Sequence, residues 1–485
     1  MSQPLTPTAT QRLHFRPPDW KVTPTVDTIA SACGISPELT GLIMTSIIGG
    51  LNQRYPSLAR DITGNVPTGP NLLIIGADES PRLRRLLSML LRPLIMKQSI
   101  LRDAASNCRR DTLDLIRFGP EEGEDLNDPT KDILRRIKSG AFSDDSMGLG
   151  GRGRSNGREL VAANHPTIFL SNPAVDALLA GLNEAIDGQL LVFDEHGDLF
   201  RMLASPPRGD RSRSEMLTAL LGQHGSDSIM RNLHARQGPG SLEPRQLGMI
   251  SCVSRQQMVT FMEQKGVRSL LEQFIVVDAT ACPFIPDGNL SSKALSDAMH
   301  WWDQAMTSLY SARIAGMSCC PIPPERVADH LMHVMEDFHV ELEVKAHDSP
   351  VPLGNLWSLP LQFYSALAIA TNTGADGMVP VLPVLDGICE RAAGRHVTAL
   401  MRFQDEAASQ ERNKRSKSIL RAIGRHGPCP FRVVVRTFSV QRKELYEPLV
   451  RELIDMGEVI EMDNGLLALP PGRRGLPERL EQRLN

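Results

Sequence analysis

Two adjacent acids, Asp194 and Glu195, end the apolar run in Gln189-Leu-Leu-Val-Phe-Asp-Glu-His-Gly197. In nucleoside triphosphate hydrolysis a buried strand carries one such acid to a divalent metal, and the next acid orients the attacking water. Acids of this kind need a phosphate cradle, and the matching run is Leu72-Leu-Ile-Ile-Gly76. Laid on the template G-x-x-x-x-G-K-[ST], Gly76-Ala-Asp-Glu-Ser-Pro-Arg-Leu83 keeps only the first Gly. Pro81 stands for the second Gly, Arg82 for the Lys and Leu83 for the metal-binding hydroxyl. The candidate roles are therefore Asp194 as metal ligand if nucleotide binds, Glu195 as water activator, and Gly76, Ser80 and Arg82 around phosphate. The expected cofactor is none, or ATP with Mg²⁺ if the core retains binding.

Each residue also has a plainer reading. Asp78, Glu79 or Ser80 can cap the helix that Pro81 opens, and this reading of the turn is preferred because a cap occupies the place a phosphate would need. Asp194 and Glu195 can cap the turn that follows them. Arg201, Arg208, Arg211 and Arg213 could touch a phosphate from a loop, though each is first a solvated side chain. His196 is read as surface or filler. His330, His333 and His339 share a helix, but no acidic pattern completes a metal shell, so packing is the better reading.

The elements that must position these residues follow from pattern. Residues 1–24 read as a loose leader rich in Pro, Thr and Gln. Ser36-Pro37-Glu38 starts an apolar helix within a helical stretch from Val26 to Tyr55. Strands are expected at 71–75, 167–170, 189–193, 247–253 and 274–277, with helices at 81–96, 172–182 and 256–263 between them. That alternation predicts a largely parallel sheet with helices on both faces. From 286 to 409 the pattern is nearly all helix, with phases at 291–314, 324–346, 359–371 and 378–405. Charged residues 410–417 read as a linker or helix start.

The last part, 410–470, predicts helix 416–426, a short segment 429–437, helix 440–456 and two strands flanking Met462-Asp-Asn-Gly465, a hairpin signal. This order is that of a winged helix-turn-helix, although Val433 to Val435 prefer a strand. Ser439, Gln441, Arg442 and Lys443 would open the helix that meets a DNA groove, with Arg432 and Arg436 on phosphates. A protein-docking winged helix is the alternative, since Glu444, Glu447 and Glu452 dilute the charge. Residues 471–485 read as a basic tail.

Composition narrows the setting. A length of 485 residues suits two or three domains. A net charge of -3 gives no global sign of nucleic acid, so any basic surface must be local. The eight cysteines form no C-x-x-C pair, which argues against zinc and a disulfide framework and for a reducing cytoplasm. No signal peptide or bilayer-spanning run is read.

The order Leu72–Arg82, Asn172–Arg201, Gly266–Val277 and Leu353–Ala370 resembles an uncharacterised bacterial and phage family of P-loop ATPase-like proteins. That family is associated with primase and helicase domains of mobile elements, and the resemblance covers about Val26 to Ala408. It departs at Gln273, where similar proteins tend to carry Arg, and after Trp357, where they often carry Lys or Arg. The resemblance implies a P-loop NTPase-like α/β core over 25–285, helical at 25–65, and a helical extension over 286–409; this chain departs from it also in its degenerate phosphate loop. The expected function is a DNA-associated protein of a mobile element or prophage whose degenerate, inactive ATPase-like core serves oligomerisation or docking, with homo-oligomer, replication or defence proteins and double-stranded DNA as partners and no membrane. The alternatives are an active DNA-stimulated ATPase or helicase, and an adaptor that binds protein without DNA.

Overall fold

Leu72, Leu73, Ile74 and Ile75 expose no surface. A four-residue apolar run of this kind is covered on both faces, as a strand inside a parallel sheet requires. The computed structural model describes residues 22–51, 69–77, 80–118, 167–184, 189–206, 246–264, 267–281, 290–314, 382–438 and 443–471, with single positions within 214–221 and part of 333–366. Two compact units meet in sequence between Met401 and Arg402.

The first unit begins with helices α1 (Val22–Cys33) and α2 (Pro37–Leu51). Five parallel strands follow: β1 (Leu72–Ile75), β2 (Phe169–Ser171), β3 (Gln189–Asp194), β4 (Gln246–Val253) and β5 (Ile275–Asp278), in the order β2-β3-β4-β1-β5. Between them lie α3 (Pro81–Phe118), α4 (Val175–Glu184), α5 (Asp198–Ala204), α6 (Arg255–Met262) and α7 (Val267–Leu271). Helices α8 (Ser292–Ile314) and α9 (Leu382–His426) come after β5. Helices α1, α2, α3 and α8 pack on one another, with α2 lying along β3 and β4, while α4 and α5 lie on β3 and α7 touches α5. Right-handed crossovers that leave β1 in one direction and β3 and β4 in the other put these two sets on opposite faces.

Helix α2 starts where Ser36 predicts, its Oγ accepting from Leu39 N–H at 3.3 Å. From Leu42 to Leu51 it is buried all round, including Gly49 and Gly50. A Cβ on Gly69 would lie 2.5 Å from the Gly49 carbonyl carbon, so the chain entering β1 passes directly over the helix backbone. No single helix among the described residues is long and apolar enough to cross a membrane.

Polar side chains fix how these layers meet. The Asn71 amide donates to Leu221 O at 2.9 Å and Gln273 O at 3.1 Å, and its oxygen accepts from Met249 N–H at 2.8 Å. One buried residue thus ties the start of β1 to β4 and to the turn before β5. Gln98 Oε1 accepts from Ile168 N–H at 3.1 Å, joining α3 to the start of β2. Trp302 Nε1 donates to Leu90 O at 2.9 Å, joining α8 to α3. At the outer edge of the sheet, Val276 N–H of β5 donates to His396 Nδ1 at 3.0 Å, and His396 Nε2 meets Pro352 O at 2.8 Å. Helix α9 therefore supplies the partner for a strand edge that would otherwise present an unpaired donor.

Three elements differ from the sequence expectation. Helix α3 continues past Met96 and through Pro93, because Leu91, Leu94 and Gln98 extend its buried stripe. Helix α9 runs unbroken through residues 410–417, expected as a linker or a helix start, with the i,i+4 pairs Arg402–Glu406 and Arg415–Glu411 bridging its turns. Val433–Val435 are helical because Val434 and Val435 enter a core with Ile419, Ile423 and Leu449, and packing overrides their strand preference.

In the second unit the end of α9 is followed by β6 (Cys429–Pro430), α10 (Phe431–Phe438), α11 (Lys443–Asp455), β7 (Ile460–Glu461) and β8 (Leu466–Ala468). Its small antiparallel sheet has the order β6-β8-β7. The hairpin turn is the expected one: Gly465, at φ 71°, donates to Met462 O, and Met462 N–H donates to Leu466 O.

Replacing Asn71 with Ala removes the acceptor of the Met249 N–H and the amide donor to two carbonyls in the core. The cost is expected to be about 3 kcal/mol, read as a lower urea midpoint. His396 supplies a pH dependence. Burial holds its ring at about 4, against an ordinary value of 6.5. Its contribution to stability is complete above pH 6.5 and falls as pH drops toward 4, because the unfolded chain takes up the proton first. The loss across that window is on the order of 3 kcal/mol. Urea titrations at pH 7 and 4.5 should show that dependence in the native chain and a flatter one in His396→Gln.

Candidate functional site

The carboxyl edge of the sheet gathers the residues that could do chemistry. In register, Ile75 faces Val253 on one side and Asp278 on the other, and Asp194 faces Ser251. The Gly76 turn and the paired acids therefore leave the same edge with β4 between them, about 10 Å apart at two strand spacings. Strand β1 sends the chain to β2, whereas neighbouring β4 sends it the other way to β5. Adjacent strands whose connections diverge leave a crevice above their ends, where open α/β sheets bind ligands.

Asp194 is buried, with its oxygens directed at its own chain. Oδ2 accepts from Phe200 N–H at 2.9 Å and Ser251 Oγ–H at 2.8 Å, and Oδ1 accepts from Leu199 N–H at 3.3 Å. The two amides belong to the first turn of α5, so the carboxylate caps that helix from four residues before its start. Burial raises the Asp194 pKa, opposed by hydrogen bonds from Phe200, Ser251 and Leu199. Glu195 is half-buried, and its geometry depends on Asn172. Asn172 Oδ1 accepts from Glu195 N–H at 2.7 Å, and its Nδ2 donates to Glu195 Oε2 at 3.3 Å. Asn172 reaches this position in the left-handed region, at φ 46°, where Asn is among the few tolerated side chains.

The turn after β1 is equally engaged. Gly76, at φ 78°, donates its N–H to Val253 O at 2.8 Å, and Ser80 N–H donates to Ala77 O at 3.2 Å. Ser80 Oγ accepts from Leu83 N–H at 3.3 Å, while Pro81 has no N–H to offer. Leu83 exposes no surface. The Arg82 side chain lies against Gly34, its Cδ 3.3 Å from where a Cβ on that glycine would be. Above Gly76, a Cβ would meet the Thr280 methyl at 2.9 Å. Thr280 Oγ1 donates to Asp278 Oδ1 at 2.6 Å and accepts from Arg255 Nη1 at 3.2 Å. Arg255 itself opens α6 behind the capping box of Ser254 and Gln257.

These residues do not fit a magnesium nucleotide. A phosphate cradle needs outward N–H groups and a hydroxyl for the metal. Here the amides of Gly76, Ser80 and Leu83 point into the chain, the Ser80 hydroxyl is a helix cap, and Leu83 is core. Among the described residues no group of three or more His, Cys, Asp or Glu side chains could hold a metal ion.

The remaining candidates lie apart from this edge arrangement. His196 is exposed and Arg201 pairs with Asp198 in its own helix. His333 pairs with Glu336 at 3.5 Å. Arg208, Arg211, Arg213 and His330 lie outside the described residues. In the second unit Arg432 and Arg436 are exposed on α10 and Lys443 opens α11, while Ser439, Gln441 and Arg442 lie outside the described residues. Sequence reasoning passed over Asn172, Ser251, Arg255 and Thr280. Only Asn172-Pro173 carried a signal, an Asx-Pro turn at a strand end. Comparison with protein-family models, with curated proteins and with solved structures gives no match.

Asp194→Ala is expected to destabilise the chain by about 2 kcal/mol without any nucleotide present, because two amides of α5 and the Ser251 hydroxyl lose their acceptor. Thermal unfolding of the two proteins in nucleotide-free buffer measures this.

Proposed function

We propose that the chain is a DNA-associated protein of a mobile element whose first unit is a P-loop ATPase-like core without nucleotide turnover. The core would act as a platform for self-assembly or for docking of replication or defence proteins. The second unit is read as a winged helix-turn-helix that engages double-stranded DNA. The observation that carries the pseudo-enzyme reading is the internal engagement of Asp194, Ser80 and Leu83 at the positions where metal and phosphate would be held. Support for the ancestral fold comes from the strand order, which brings a Gly turn and a strand ending in Asp-Glu to one edge with a single strand between them.

One observation favours the active alternative. Glu195 is half-buried and held by Asn172 at the crevice, a placement suited to orienting a water molecule. Phosphate release with and without DNA separates the two readings.

Isothermal titration of the full chain with ATP and Mg²⁺ is expected to give no saturable heat up to millimolar nucleotide. Micromolar binding that disappears in Asp194→Ala would defeat the pseudo-enzyme reading.

A further inference from the structure

The second unit separates its charges by element. From Arg412 to Phe438, covering the end of α9, β6 and α10, the sequence holds eight Lys and Arg and no Asp or Glu. From Lys443 to Pro471, covering α11 and the β7–β8 hairpin, it holds seven Asp and Glu against two Lys and Arg. The helix and hairpin that would enter or flank a groove in a winged helix are thus acidic.

Packing decides which charges remain available. Ile419, Leu420 and Ile423 of α9, with Val434 and Val435 of α10, face the common core. Arg421 and Arg425 stand on the opposite side of α9, and Arg432 and Arg436 are exposed on α10. Each pair is spaced i,i+4, about 6 Å along its helix. Arg412 and Arg415 are taken up by Glu452 and Glu411, and Arg451 of α11 by Glu447. No carboxylate among the described residues pairs with Arg421, Arg425, Arg432 or Arg436.

We infer that this unit grips double-stranded DNA by its phosphates, through Arg421, Arg425, Arg432 and Arg436 on α9 and α10, without base readout by α11. This rests on the DNA-binding reading above and changes which surface carries it. A helix in the major groove lies between two phosphate walls about 12 Å apart. On the body of α11, Asp455 is exposed, Glu447 and Glu452 are held by arginines, and Pro448 occupies a further outward position. The one arginine on that face, Arg451, is paired with Glu447, so the face is acidic on balance and its single long donor is already engaged. Arginines on phosphate, by contrast, bind every sequence alike and lose affinity steeply with salt.

The test is fluorescence anisotropy of the full chain with two labelled duplexes of unrelated sequence, repeated across salt concentrations. The expected result is binding of both duplexes within about threefold of each other. Arg421→Ala/Arg425→Ala should weaken both at least tenfold and lower the salt slope by about 2, near one unit per lost phosphate contact. Asp455→Ala should leave binding unchanged. Circular dichroism of the exposed-site variants verifies folding, and Arg432→Ala/Arg436→Ala provides an independent second pair. Discrimination between duplexes of tenfold or more would overturn the inference. So would insensitivity to both arginine pairs together with loss of binding in Arg442→Glu/Lys443→Glu, and in either case the DNA-binding reading stands. Absence of binding to any duplex at low salt overturns both.

Discussion

The amide of Asn71 sets the sheet on which everything else is mounted. A buried side chain with two donors and one acceptor can be satisfied only where three backbone groups converge. Met249, Leu221 and Gln273 provide them at the point where β1 meets β4 and the approach to β5. Sliding β1 by one residue would strand all three groups in an apolar layer, at a cost of roughly 1–3 kcal/mol each. Apolar burial alone would tolerate such a slip better, because Leu72 to Ile75 are covered on both faces and present a similar side chain at every step. The polar contact therefore supplies the register that fixes which residues reach the carboxyl edge.

The same requirement, that a buried polar group find a partner, occupies the polar groups described at that edge. A carboxylate at a strand end can hold a metal or cap a helix, but its lone pairs are limited. Asp194 caps α5 and accepts from Ser251; Ser80 caps α3; Gly76 closes back onto β4. The caps are local and the contacts to Ser251 and Val253 join neighbouring strands, whereas phosphate binding would need the same groups turned outward with a cation beside them. Pro81 has no N–H to offer such a ligand, and Leu83 has no hydroxyl and is buried in the core.

Much of this architecture was legible in the sequence, and the parts that were not share a cause. Apolar runs such as Leu72–Ile75 and Leu190–Phe193 announce buried strands because nothing but a covered sheet accommodates them. Ser36-Pro37 and Ser80-Pro81 announce helix starts because capping chemistry is local. The hairpin at Met462–Gly465 is equally local. The helical state of Val433–Val435 was hidden, because it depends on Ile419 and Leu449, far away in sequence. So were the roles of Asn172, Ser251 and Thr280, since a short polar residue at a strand end carries no sign of its neighbour on the next strand. His396 is the clearest case. Its position within a helical stretch gives no hint that its ring closes the edge of β5, 120 residues earlier.

Charge follows a different logic from packing in the second unit. Core residues there come from α9, β6, α10, α11 and β8 alike, so burial cannot explain why cations fall on α9 and α10 and carboxylates on α11 and the hairpin. Stability does not require the division either: exposed pairs such as Arg451–Glu447 contribute only a few tenths of a kcal/mol, and mixing the signs would provide more of them. Four arginines without carboxylate partners among the described residues, in two i,i+4 pairs, accept repulsion within each pair. An anionic polymer relieves that repulsion and releases counterions as it binds. An apolar or cationic partner does neither, and an acidic protein surface would have to match the spacing of two helices residue by residue. Regular phosphates along a duplex meet the same arginines at any register, so the charge pattern favours DNA as the ligand and the backbone as the part of it that is recognised.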